Sequence, residues 1–175
     1  MKISVVIPVY NAKEDVQKCL NSVKENFDFS DGEVILVDDC SQQETADYLK
    51  TEAATNPDKF TLIRNAENAG FPKTCNNGIA KAQGEIIVLL NSDTMIPAEF
   101  NKKIAACFDS DPQIAVASPI ASYSGSYFIP LRDGETVESM NEKIEQLHKP
   151  VYPAIPTAEG FCFCIRASAL KKYGG

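Results

Sequence analysis

Residues Gly84–Thr94, GEIIVLLNSDT, decide how this chain is read. Ile86 to Leu90 is an unbroken apolar run, entered from a glycine and left through Asn91, Ser92 and Asp93. Such a run, bounded by turn residues, reads as a strand buried on both faces. In open α/β sheets, ligands sit just beyond the carboxyl ends of the strands. Asp93 stands at that position, one residue past the small Ser92, and a carboxylate there suits a hard cation carrying a diphosphate. Asn and Asp also form turns through their own local hydrogen bonds. From this stretch alone both readings stay open.

The flanking sequence repeats the pattern. Upstream, Ile3–Ile7 is a short apolar strand that Pro8 is expected to stop, with Val9, Tyr10 and Asn11 after it. Val16, Cys19, Leu20 and Val23 then recur at the spacing of one helix face. A second strand at 33–37 runs into Asp38 and Asp39. Ser41 and Glu44 have capping-box spacing, which predicts a helix after Ser41 with Ala46, Leu49 and Ala53 inward. Phe60–Ile63 reads as a third strand, and NAENAGFP after it is loop chemistry. A helix is expected from near Pro72 to about Gln83, closed by Gly84.

Beyond Asp93, Pro97 introduces a helix with Phe100, Ile104 and Phe108 inward, and Ile114–Ala117 reads as a fifth strand. Ser118–Gly134 is loop-like. Val137, Met140, Ile144 and Leu147 have helical spacing and are followed by prolines 150, 153 and 156. Phe161–Ile165 reads as a strand and Ala167–Tyr173 as a short helix. The alternation predicts an α/β fold, a mostly parallel sheet with helices on both faces. Neither a repeat nor a linker divides residues 1–175, so one domain is expected.

Composition narrows the function classes. The 175 residues are 44% hydrophobic and 23% charged, ordinary for a globular domain. The net charge of −7 argues against nucleic acid as a partner, which calls for a basic face. An acidic protein that holds a diphosphate needs a local counter-charge, and a metal ion supplies one. No apolar run approaches a membrane span and no signal-peptide pattern opens the chain, so a cytoplasmic location is expected. The six cysteines form no C-x-x-C pair, which speaks against zinc and for buried, reduced thiols. The one histidine, His148, supports no catalytic role.

Carboxylates thus follow two separate strands, Asp38 and Asp39 after the second and Asp93 after the fourth, while Tyr10 follows the first. In a parallel sheet these ends share one edge. Together they look like a site for a base, a ribose and a metal-bound diphosphate. No G-x-G-x-x-G follows the first strand and no G-x-x-x-x-G-K occurs, so dinucleotide and P-loop signatures are both absent.

ISVVIPVYN, VDDCS, NAGFPKTCNNGI, LLNSDT and the later PTAEGFCFCIRASALKKYGG, in this order, resemble family 2 glycosyltransferases of the GT-A fold, in their nucleotide-sugar-binding half and especially in the rhamnosyltransferase-like branch. The resemblance covers nearly the whole chain. It implies that Pro8, Val9 and Tyr10 line the nucleobase pocket, with Tyr10 on the base. It implies that Asp39, with Asp38, bonds the base or ribose, and that Asn68, Gly70 and Asn76 shape the loop beside the nucleotide. Ser92 falls in the same set. Asn91–Asp93 takes the place of the family's D-x-D metal motif with Asn91 for the first aspartate, leaving Asp93 as the main ligand of Mg²⁺ or Mn²⁺. Tyr10 as a core aromatic, the aspartates as helix-dipole charges and the asparagines as turn formers are the plain structural alternatives.

The implied activity is inverting transfer of a sugar from a nucleoside-diphosphate sugar to a saccharide or lipid-linked acceptor, as in cell-surface polysaccharide synthesis, at the cytoplasmic side and in places peripheral to the inner membrane face. The family's base-bearing E-D segment is expected beyond Gly175, so residues 1–175 are expected to lack the C-terminal acceptor-binding part, and a truncated fragment without the catalytic base is one alternative reading. Glu159 does not match its position. The rival readings are a non-catalytic nucleotide-sugar-binding domain and a nucleotidyltransferase-like enzyme. The latter calls for a glycine-rich first loop that PVYNAKED lacks.

Overall fold

The computed structural model describes residues 1–123, 126–147 and 149–173. His148 lies outside the described residues, as do Ser124 and Gly125 of the expected loop and the terminal Gly174 and Gly175. Six strands form one sheet: β1 (Ile3–Val9), β2 (Gly32–Asp38), β3 (Phe60–Arg64), β4 (Ile86–Leu90), β5 (Val116–Ala117) and β6 (Cys162–Arg166). Their order is β3-β2-β1-β4-β6-β5. β1 to β4 are mutually parallel, and β6 runs antiparallel to both β4 and β5. The chain lays β2 and β3 on one side of β1 and then returns to place β4 on the other. That reversal between β1 and β4 is the kind of crevice where open α/β sheets bind ligands.

The helices are α1 (Lys13–Asn26), α2 (Gln43–Thr55), α3 (Phe71–Ile79), α4 (Phe100–Ser110), α5 (Val137–Leu147) and α6 (Ala167–Tyr173). Side chains alternate across a strand, so a sheet covered on both sides carries two apolar layers. Val5, Ile7 and Val9 of β1 pack with Val16, Leu20, Leu49, Phe100 and Phe108 from α1, α2 and α4. Val6, Ile35 and Val37 face the other way, against Ile79 of α3 and Leu170 of α6. α3 comes unusually close: a Cβ on Gly78 would stand 2.3 Å from Val6 Cγ1. The α/β architecture with helices on both faces is the one the alternation predicts.

Four local expectations are corrected. Pro8 does not stop β1: it stays in register with Val37 of β2, and its missing N–H falls on the side of β4, whose pairing with β1 has ended at Val6. The fifth strand shrinks from 114–117 to Val116–Ala117, pairing with β6 alone at the sheet's edge. The capping box is not formed: α2 begins after Gln42 without a side-chain cap. The Ser41 hydroxyl instead accepts the Asn11 N–H at 2.9 Å. α3 ends at Ile79, short of Gln83, and Gly84 turns the chain into β4 with its N–H on the Ser4 hydroxyl at 2.7 Å. All six cysteines are free. Four are buried, but Cys40 and Cys107 are only half-buried, a partial correction of the buried-thiol expectation. No helix among the described residues is long and apolar enough to cross a membrane.

Candidate functional site

The carboxyl edge of β1, β2 and β3 is stitched by backbone first. Asp39 N–H reaches Val9 C=O and Asn65 N–H reaches Asp38 C=O, both at 2.8 Å, so the ladders continue one residue past the strands. A second clasp joins the two loops. Asn11 Oδ1 accepts the Gln42 N–H at 2.8 Å while the Asn11 N–H donates to Ser41. Asn11, Ala12 and Cys40 all hold positive φ at these strand ends. Such backbone is costly for residues with a Cβ and persists where surrounding bonds enforce it.

The adjacent aspartates diverge. Asp38, the last residue of β2, is buried and ion-pairs with Arg64 at the matching position of β3. Its other oxygen accepts the Ser41 N–H at 2.8 Å. Asp38 therefore faces into the fold and does not line a hollow. Asp39, 4% exposed, turns the other way. One oxygen accepts from Asn65 Nδ2 at 2.7 Å and Ala69 N–H at 2.8 Å, the other from Gly70 N–H at 3.0 Å. Burial alone would push its carboxyl pKa up. The bonds from Ala69, Asn65, Thr74 and Gly70 together outweigh it and hold the pKa below the ordinary value. Asp39 is a fixed anion that orders the 65–70 loop.

Around Asp39 lies a hollow of about 220 Å³, lined by Pro8, Val9, Tyr10, Asn68, Gly70, Phe71 and Thr74. Tyr10 is 56% exposed, which sets aside the core-aromatic reading, and Phe71 at the start of α3 is 54% exposed. Gly70, with φ at +79°, makes the turn into α3. Asn68 Oδ1 shares the Gly70 N–H at 3.2 Å, which is also ordinary turn chemistry. Asn76 is exposed on α3 and does not line the hollow. Its neighbour Asn77 instead bonds Asn65 Oδ1 at 2.8 Å. Asn77 lies three residues from Thr74 and so shares its helix face, whereas Asn76 does not.

Asn91, Ser92 and Asp93 lie at the same edge, after β4. The segment is a turn, closed by Thr94 N–H on Asn91 C=O at 3.1 Å, and the Asn91 N–H is held by Phe161 C=O at 2.9 Å. The turn leaves Asp93 exposed and Ser92 half-buried. Asn91 and Asp93 line a second, larger cavity of about 450 Å³, whose lining shares no residue with the first and does not include Ser92. Behind the turn, burial and then the nearby Asp93 charge push the Cys19 thiol up to about 12, so it stays protonated. Among the described residues no three His, Cys, Asp or Glu side chains are grouped to hold a metal ion. The donor set is thus one exposed carboxylate and one amide. That fits an ion whose remaining positions are filled by phosphate oxygens and water, and not a fully protein-held metal.

Arg64, Asn65, Phe71, Thr74 and Asn77 were not legible as site residues in the sequence. The one available signal is Arg64, a cation at a strand end next to a strand ending in two acids.

The glycosyl transferase family 2 model matches residues 4–174. The poly(ribitol-phosphate) beta-N-acetylglucosaminyltransferase TarS of Staphylococcus aureus is 34% identical over 111 residues, covering 62% of this chain and 19% of TarS. The crystal structure of TarS residues 1–349 in complex with UDP-GlcNAc superposes with a TM-score of 0.66 at 26% identity, over 98% of this chain and 47% of that one. A mannosyltransferase from Pyrobaculum calidifontis, in complex with GDP-Man and Mn²⁺, shares the fold with a TM-score of 0.71 at 22% identity, over 99% of this chain and 47% of that one. The chain therefore spans less than half the length of these relatives. With the sheet order, the strand-end acids and a family match that runs almost end to end, the chain belongs to glycosyl transferase family 2 and has the GT-A fold.

Proposed function

We propose that residues 1–175 form the nucleotide-sugar-binding part of an inverting, metal-dependent hexosyltransferase that uses a nucleoside-diphosphate sugar. The single observation that carries this reading is the fixed anion of Asp39 in one hollow with the exposed Tyr10, on the same sheet edge as the exposed Asp93. The nucleoside lies in the smaller hollow, its base against Tyr10 and its polar edge toward Asp39. The diphosphate runs along the carboxyl edge toward Asp93. Asp93, with the Asn91 amide oxygen, would hold Mg²⁺ or Mn²⁺, which when bound stabilises the charge on the departing diphosphate. Relatives bound to UDP-GlcNAc or to GDP-Man with Mn²⁺ support both the donor class and the metal.

In the transfer, the bond from the sugar's anomeric carbon to the diphosphate oxygen breaks and its electron pair leaves with the nucleoside diphosphate. The acceptor oxygen bonds to that carbon from the opposite side, and its proton passes to a carboxylate base. Glu159 is not assigned as this base, since its carboxylate accepts the Ser126 N–H at 2.8 Å and ties a loop. The protein works at the cytoplasmic side, and its acceptor is a saccharide or a lipid-linked hydroxyl.

Calorimetric titration of UDP, dTDP and GDP, with Mn²⁺ or Mg²⁺ and then with chelator, tests the reading. Binding is expected to need the metal, and Asp93→Ala is expected to weaken it more than Asn91→Ala. A charged partner contributes about 1.5–3 kcal/mol against about 0.5–1.5 for a neutral one. Equal affinity with and without metal rejects the metal role, and wild-type affinity in Asp93→Ala rejects the ligand.

A further inference from the structure

Asp38 and Arg64 line neither hollow, yet a run of bonds leads from them to Tyr10. Arg64 is the last residue of β3, and its guanidinium makes two contacts. One nitrogen pairs with the Asp38 carboxylate, and another donates to Ser41 C=O at 3.0 Å. Asp38 in turn accepts the Ser41 N–H at 2.8 Å. Ser41 is therefore gripped at its N–H and at its C=O by the two halves of one ion pair. Its hydroxyl, so placed, accepts the Asn11 N–H at 2.9 Å. Asn11 directly follows Tyr10 and holds φ at 60°. A residue with a Cβ stays in that region only where surrounding bonds enforce it. The chain thus leaves β1 at a bend that Ser41 enforces, with Tyr10 exposed in the hollow just before it.

We infer that Arg64 is a positioning residue for the nucleobase: paired with Asp38, it holds Ser41 so that Ser41 fixes the bend at Asn11 and with it the ring of Tyr10. The assignment rests on the reading of the smaller hollow as the nucleoside site. Arg64 suits the task better than a lysine would, because a guanidinium presents its N–H donors in a fixed plane and serves a carboxylate and a carbonyl together. The pair is costly to break from one side, since Asp38 would be left as a buried carboxylate without its cation. The next residue, Asn65, serves the other wall: it donates to Asp39 at 2.7 Å, the anion that orders the 65–70 loop. The end of β3 thus sets both walls of a hollow that it does not itself line, Arg64 on the Tyr10 side and Asn65 on the Gly70 side.

The test is calorimetric titration of UDP, dTDP and GDP, and of inorganic pyrophosphate as a ligand without a base, all with Mn²⁺. Arg64→Gln is expected to weaken the nucleoside diphosphate that the wild type binds by about tenfold, within the range of coupling between neighbouring residues, and to leave pyrophosphate unchanged. Ser41→Ala keeps the ion pair, removes only the last bond, and is expected to do the same. Asp38→Asn/Arg64→Gln removes both charges, leaves no buried carboxylate unpaired if Arg64→Gln folds poorly, and is expected to match it in binding. In a Tyr10→Ala background each change is expected to cost less than about twofold, because the ring it positions is gone. Wild-type affinity in these variants, an equal loss for pyrophosphate, or an undiminished loss in the Tyr10→Ala background overturns the assignment. Amide hydrogen exchange at Asn11, read by NMR, needs no nucleotide, and Arg64→Gln is expected to speed it. Faster exchange with no nucleotide bound by the wild type upholds the hold on Asn11 and overturns the nucleoside reading instead; unchanged exchange overturns the assignment.

Discussion

The two hollows at the carboxyl edge are held open by different parts of the fold. Around Asp39 the walls are loops, and almost every polar atom is tied: Asn65, Ala69 and Gly70 to Asp39, and Asn77 to Asn65. Beneath them β1 is buried at all of its positions and β2 from Val34 to Asp38. Around Asp93 the walls come from the turn after β4, from α4 and α5 and from the segment between β5 and α5, and the adjacent strand β5 is two residues long with one of them exposed. α5 is held across the cavity by Lys103 with Glu145 and Asn141. The difference follows from topology. Parallel strands feed their ends into one crowded edge where loops must satisfy one another, whereas beyond β4 the sheet reverses direction and the chain spans the gap with loosely packed segments.

The largest expected effect sharpens this contrast. Leu36 is fully buried in β2, the strand that carries Asp38. Leu36→Ala is expected to cost about 2–5 kcal/mol in urea unfolding. Met140→Ala removes comparable bulk from a cavity wall that is already half open, and is expected to cost less than about 1 kcal/mol. Equal losses would mean that the two regions are packed alike.

Next in size is Asp39. Its pKa is lowered in the folded state, so its contribution is fully present above the ordinary value of 3.8 and is lost as pH falls through the lower folded value. Asp39→Asn keeps the shape but removes the charge and one acceptor, and is expected to cost about 1.5–3 kcal/mol at neutral pH. The variant is also expected to lose less stability on acidification than the wild type. Urea midpoints measured from neutral to acid pH give both results, and parallel profiles for the two proteins contradict the role given to Asp39.

The smallest effect has the opposite sign. Cys40 holds φ at 60° between the two hydrogen-bonded loops. Left-handed backbone costs a residue with a Cβ roughly 1–2 kcal/mol, while glycine loses about 0.5–1 kcal/mol more chain entropy on folding. Cys40→Gly is expected to raise stability by about 0.5–1 kcal/mol, read as a higher melting temperature. No gain would show that the clasp between Asn11, Ser41 and Gln42 does not enforce the strain.

Much of the fold was legible because burial imposes periodicity on the residues themselves. Val16, Cys19, Leu20 and Val23 had to face one way, and they lie at 0% exposure on α1. Phe100, Ile104 and Phe108 do the same on α4. Element ends were less legible where a distant partner decides them. Pro8 stays in β1 because β2 still lies beside it. Ser41 leaves its capping role because Asn11 offers it a different bond.

The sequence by itself determined that short apolar strands alternate with amphipathic helices and that acids follow two of those strands. Periodicity and turn chemistry are local, and they survive without knowing any neighbour. Only the tertiary structure decided between adjacent identical residues. It turned Asp38 inward to Arg64 and Asp39 outward to the 65–70 loop. It also chose Asn77 over Asn76 for the network on Asn65. Each pair has the same chemistry, so no composition or spacing separates its members. What separates them is which way the backbone points each side chain and which element the sheet order has brought there to meet it.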